Sequence, residues 1–132
     1  MTYLLDTSAL LAHYREEAGA AEVQALFEND DASIAIASIT ITEFSRRMTA
    51  LGSAPEEALA SLENYGRIFS AIVPIDGRIA RQAVFLGLEA QGRIPLADAL
   101  IAAAAQSLNA VLVHRDPHFE ALRPGAVKLQ SI

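Results

Sequence analysis

Five acidic residues of this sequence stand where an apolar stretch gives way to a helix-like one. Asp6 follows "YLL", Glu43 is expected in the first turn after "SIAIASIT", and Asp98 in the first turn after Pro95. Asp116 follows "AVLVHR" and Asp76 follows "AIVPI". Three or four carboxylates gathered in one place repel one another and hold their protons more tightly. A hard divalent cation such as Mg²⁺ or Mn²⁺ removes that conflict, because both prefer oxygen ligands and keep several waters. Such a site orients a water, makes it more acidic and stabilises charge on a transferring phosphate.

Each acid also has a local explanation. Asp6 and Asp116 suit helix N-caps, and Pro117 stands at the favoured first helical position after Asp116. Thr40 and Glu43 fit a capping box. Asp98 suits the positive end of its helix. Asp76 obeys the same local rule as the rest, so spacing alone does not say which of the five converge.

The elements that must position these residues are short. Residues 2–5 predict a buried strand, followed by helical spacing through Leu10, Leu11 and Tyr14 and a second helix over 20–27. "ENDD" is a polar turn, 33–38 alternates as a strand, and 40–51 is helical. A new helix starts near Pro55, a strand covers 71–75, and the next helix runs from Asp76 to near Gly92. An alanine-rich helix at 95–109, a strand at 110–114 and a last strand at 127–129 complete the chain. Strands alternating with helices predict an α/β fold with a mainly parallel central sheet flanked by helices on both faces. In such sheets the carboxyl ends of the strands share one edge, where ligands bind. Without a repeat or linker, residues 1–132 are expected to form one domain.

Net charge is −6, with a single lysine, Lys128, beside nine arginines. A protein gripping nucleic acid mainly through basic side chains is usually positive. A nucleic-acid substrate here therefore implies that bound cations compensate some acids. With no cysteine, disulfides and thiolate zinc sites are excluded. No apolar run approaches the ~20 residues of a membrane span, and the N-terminus lacks the pattern of a signal peptide. A soluble, cytoplasmic protein is expected.

"YLLDTSALL", "TITEFSRR", "IPLADALIAAAA" and "LVHRDPHFE" occur in the order and spacing of PIN-domain nucleases. The sequence most resembles the short bacterial VapC-like toxins of toxin–antitoxin pairs, along nearly its whole length. The resemblance implies a PIN-like fold and a metal-dependent endoribonuclease. It places Asp6, Glu43, Asp98 and Asp116 on the family's acidic metal positions and leaves Asp76 as a helix cap. Thr7 and Ser8 match the hydroxyls after the first aspartate and are expected to support Asp6 or a water. His114 departs from the pattern: relatives often carry threonine or serine two residues before the last aspartate. It is expected either to assist that corner of the site or simply to end its strand. The resemblance also implies a small VapB-like antitoxin that covers the active site, and a second copy of the chain as a homodimer partner. Exposed apolar positions on 8–27 and 40–70 are candidates for both contacts.

Arg46, Arg47 and Arg115 flank the acidic positions and suit RNA phosphates, since guanidinium is a bidentate donor. Glu43 and Arg47 could instead form an i, i+4 ion pair. The five phenylalanines, at 27, 44, 69, 85 and 119, sit in apolar periodic segments and are expected in the core. His114 and His118 admit a metal-free ribonuclease chemistry by acid–base catalysis. That route leaves a 2′,3′-cyclic phosphate, whereas metal-assisted hydrolysis leaves 5′-phosphate and 3′-hydroxyl ends. The alternative from another class is a catalytically silent PIN-fold module that binds RNA or protein; loss of an acid would mark it, and none is lost. A dehalogenase-like phosphotransferase needs a second acid two residues after the first, where Ser8 stands. A receiver domain needs a lysine at a late strand end, for which Lys128 is the only candidate.

Overall fold

The computed structural model describes all 132 residues. In chain order the elements are β1 (Thr2–Leu5), α1 (Thr7–Tyr14), α2 (Ala20–Phe27), β2 (Ser33–Ala37), α3 (Ser38–Ala50) and α4 (Pro55–Tyr65). They continue with β3 (Phe69–Val73), α5 (Gly77–Glu89), α6 (Leu96–Ser107), β4 (Val111–His114), a 3₁₀ turn at Pro117–Ala121 and β5 (Lys128–Ser131). The sheet order is β3-β2-β1-β4-β5, and every pairing is parallel.

Each inner strand is apolar on both sides because the sheet is covered on both faces. Neighbouring residues of a strand point to opposite faces, and the core divides accordingly. Leu4 and Leu112 pack with α5, α6 and Phe119. Leu5 and Val113 pack with α1, α2, α3 and α4. The register pairs Leu4 with Leu112 and Leu5 with Val113, so both strands change face together. Along α6, Ala102 to Ala105 are all fully buried. Their small side chains let this helix lie close to the sheet, and α5 packs across it.

β1 lies at the centre of the order, with β2 on one side and β4 on the other. The chain therefore reverses its direction of growth between β1 and β4. That reversal opens a crevice at the carboxyl edge of an open α/β sheet. Asp6 and the Arg115–Asp116 pair emerge on its two sides, and the ladder continues into it through Asp6 N, which donates to Val113 O at 2.9 Å.

Several boundaries differ from the sequence expectation. Helix α3 begins at Ser38 rather than residue 40, and Ala37 is its uncapped N-cap. Ser38 is expected to end the strand, yet Ile39 packs with one core and Ile41 with the other, which starts the helix earlier. Thr40 and Glu43 are thus no capping box. Thr40 is fully buried inside the helix, and Glu43 lies beyond the first turn. Strand β3 ends at Val73 because Pro74 has no N–H for the ladder. The last strand is Lys128–Ser131, one residue later than expected at its start, with Val127 turned into the core. Among the phenylalanines, Phe85 is 57% exposed on α5 instead of buried. No helix is long and apolar enough to cross a membrane.

Candidate metal centre

Asp6 caps α1 from the end of β1, and its Oδ2 accepts from Ser8 N at 3.0 Å and from Ser8 Oγ. The same Ser8 oxygen accepts from Arg115 N at 2.9 Å. One serine hydroxyl therefore ties the carboxylate after β1 to the backbone after β4 and closes the crevice on that side. Thr7 turns the other way. Its hydroxyl donates to Glu43 Oε1 at 2.7 Å and lies 3.1 Å from the hydroxyl of Thr40. Glu43, half-buried on α3, is thereby aimed at the start of α1. It makes no ion pair with Arg47.

Asp98 and Asp116 approach from the opposite face. Asp98 stands in the first turn of α6 and is buried. Asp116 caps the 3₁₀ turn through Oδ1, which accepts from His118 N at 2.9 Å. His118 Nδ1 lies 2.9 Å from Asp116 Oδ1 and 3.4 Å from Asp98 Oδ2. Ligand atoms of Asp98, Asp116 and His118 all fall within 4.8 Å of one another.

The electrostatics join the two halves. Burial pushes the Asp6 carboxyl up to about 6, opposed by the Ser8 hydrogen bonds and reinforced by the charges of Glu43 and Asp116. Burial likewise pushes Asp98 up to about 7, with the charges of Asp6, Asp116 and Glu43 adding and His118 opposing. Each carboxyl senses acids from the other side of the crevice, so the four expected residues form one electrostatic cluster. Asp76 does not enter it. It caps α5, with Oδ1 accepting from Ile79 N at 3.0 Å, at the edge strand β3. The cluster suits a hard divalent cation: its donors are carboxylate oxygens, and ionising all of them near neutral pH needs a counter-charge.

The two histidines separate. His114 is buried, its ring 5.0 Å from that of Phe119, and its Nδ1 accepts from Asp116 N at 3.3 Å. Burial holds it below its ordinary value of 6.5, hence neutral. It shapes the turn that presents Asp116. His118 is the one that faces the acids, and sequence reasoning had considered it only for acid–base catalysis. A four-residue spacing in a helix would have put both on one side; the strand-to-turn junction does not.

Beside Ser8 lies a cleft of about 320 Å³ lined by Ser8, Leu11, Arg15, Glu17, Arg47 and Arg115. Two of the expected arginines line it, and Arg46 does not. Arg15 and Glu17 were not anticipated, because the loop after α1 reaches the end of β4 only through the fold. Arg115 Nη1 donates to Ala18 O at 3.1 Å across a sequence separation of 97 residues.

The sequence model of the PIN domain matches residues 3–123. Among solved structures, the chain is 27% identical to VapBC-5 of Mycobacterium tuberculosis, described as a member of the VapBC family of toxin–antitoxin systems. That match has a TM-score of 0.65 and covers 99% of this chain and 97% of the other. VapBC-1 from nontypeable Haemophilus influenzae is similar at 25% identity and TM-score 0.74, covering 99% and 98%. VapBC2 from Rickettsia felis, solved with a promoter DNA fragment, shares the fold at 22% identity and TM-score 0.76, covering 100% and 99%. A comparison with curated proteins gives no match.

Proposed function

Since the chain belongs to the PIN-domain family, we propose that it is a metal-dependent endoribonuclease acting as the toxin of a toxin–antitoxin pair. The observation that carries this reading is the cluster of Asp6, Glu43, Asp98 and Asp116 at the switch point of the sheet, with two of its carboxyls pushed well above their ordinary value. The fold similarity to VapBC structures supports the toxin assignment.

In this reading Asp6, Glu43, Asp98 and Asp116 hold Mg²⁺ or Mn²⁺. The bound ion supplies an acidified water and a positive charge for the departing 3′-oxygen. Ser8 fixes the rotamer of Asp6, and Thr7 does the same for Glu43. His114 keeps the Asp116 backbone in place, and the His118 ring stands beside Asp116, its Nδ1 2.9 Å from Oδ1. Arg47 and Arg115, in the neighbouring cleft, contact RNA phosphates. All four acids are retained, which disfavours the silent binding module.

The antitoxin and a second copy of the chain are proposed as protein partners. Exposed apolar side chains are available for both: Leu59 and Ile72 on α4 and β3, and Val84, Phe85 and Leu88 on α5. Leu59 lies within the segments expected from sequence, whereas Ile72 and the α5 group lie outside them.

The test is cleavage of total bacterial RNA by the purified, antitoxin-free protein. Discrete cuts in Mg²⁺ or Mn²⁺ that vanish with chelator are expected. A folded protein that cuts under neither condition contradicts the proposal.

A further inference from the structure

We infer that the cleft between α1, α3 and the end of β4 binds a non-scissile phosphate of single-stranded RNA, and that Glu17 fills this place when RNA is absent. The inference rests on the nuclease reading and adds to it a second contact point and a built-in competitor.

Three of the chain's ten cationic side chains, Arg15, Arg47 and Arg115, line this one cleft on a protein of net charge −6. Their donors are poorly used. Arg47 has no ion pair or side-chain hydrogen bond. Arg15 Nε lies 3.6 Å from Glu17 Oε2, and Arg115 Nη1 lies 3.6 Å from Glu17 Oε1. Both distances exceed hydrogen-bond length. One carboxylate thus sits between two guanidinium groups without hydrogen-bonding to either. All three side chains are between 33% and 40% exposed, so the carboxylate can swing into water.

Of the three arginines, Arg115 is held in place. Arg115 is anchored on Ala18 O, which leaves its remaining N–H groups directed elsewhere. The loop carrying Glu17 is fixed by Glu17 N donating to Ala12 O at 2.9 Å. It has left-handed backbone at Glu16 (φ 53) and Gly19 (φ 97). Ile132 closes over Gly19 so tightly that a Cβ there would lie 2.8 Å from its Cδ1. A phosphodiester is a tetrahedral anion that accepts bidentate guanidinium contacts a lone carboxylate at 3.6 Å does not satisfy. Ser8 belongs both to this cleft and to the Asp6 contact, so a phosphate held here neighbours the one at the acids.

The experiment measures anisotropy of a fluorescein-labelled single-stranded RNA oligonucleotide with Ca²⁺ replacing Mg²⁺, the strand being checked intact on a gel. Arg15→Ala and Arg47→Ala should each weaken binding and lower the log–log salt slope by ~0.7, the value for one phosphate contact on a single strand. Glu17→Gln should tighten binding roughly two- to fivefold, the equivalent of one exposed ion pair. Arg67→Ala, outside the cleft lining, serves as the control. Unchanged or weaker binding by Glu17→Gln with unchanged melting, or unaltered salt slopes in both arginine variants, overturns the inference. So does a wild-type protein that binds no RNA. Cleavage in Mg²⁺ is scored separately. Cutting by wild type with no effect of these substitutions on binding removes the cleft and leaves the nuclease reading. Arginine-dependent binding without any cutting does the reverse.

Discussion

At the scale of the residue, Asp98 carries the sharpest expectations. Its carboxyl is raised from an ordinary 3.8 to about 7, chiefly by burial. The folded protein therefore binds a proton there that the unfolded chain releases, and stability falls as pH rises from about 4 to about 7. At pH 5 the protonated acid closely matches asparagine in shape and charge. Asp98→Asn should then melt with the metal-free wild type at pH 5 and at least ~4 °C above it at pH 8. Parallel melting curves at the two pH values would contradict the raised carboxyl. Saturating Mg²⁺ should reverse the order at pH 8 by stabilising only the wild type. In activity, the same variant should lose ~10²-fold or more, in line with removal of one group that stabilises transition-state charge. Ser8→Ala should lose less and keep its metal-induced stabilisation, since the hydroxyl positions Asp6 and is not itself a ligand; an equal loss of metal response would refute that division.

At the scale of the element, the site depends on turns that hold strand ends together. Phe119 is fully buried in the 3₁₀ turn, against His114. Phe119→Ala should cost about 3–5 kcal/mol in denaturant unfolding, as a large core truncation does. A cost below 1 kcal/mol would show the turn to be loosely packed. Gly19→Ala meets both a positive φ of 97 and the Ile132 side chain. It should destabilise by about 1 kcal/mol or more, and Ile132→Ala in combination should restore only the steric share. Much of this organisation was legible in the sequence. Apolar runs ending in Asp6 and Asp116 announce strand ends and caps, and Pro117 fixes the turn that follows. The early start of α3 was not legible, because it rests on the contacts of Ile39 and Ile41 with two different cores. Nor were the roles of His118, Arg15 and Glu17. Their neighbours come from segments brought together by the crossover between β1 and β4, and no local spacing encodes that contact.

At the scale of the whole molecule, an all-parallel sheet whose order reverses beside its first strand puts helix starts from both faces at one crevice. That is how four acids far apart in the chain come to share one field. Nothing in their spacing separates them from Asp76, which caps α5 beside the edge strand β3. The exposed Val84, Phe85 and Leu88 on α5 suit self-association. If the proposed second copy docks there, Leu88→Glu should lower the mass seen in light scattering to that of one chain without lowering cleavage per chain, and an unchanged mass would contradict that contact. An antitoxin segment in excess should abolish cleavage. The central claim, that this acidic cluster hydrolyses RNA with a divalent ion, is tested most directly by the chemistry of the cut ends. Wild type with Mn²⁺ should leave 5′-phosphate and 3′-hydroxyl termini at discrete sites, absent with chelator and in Asp98→Asn. Termini bearing 2′,3′-cyclic phosphate, formed equally by Asp98→Asn and in chelator, would contradict it and move the chemistry to the histidines.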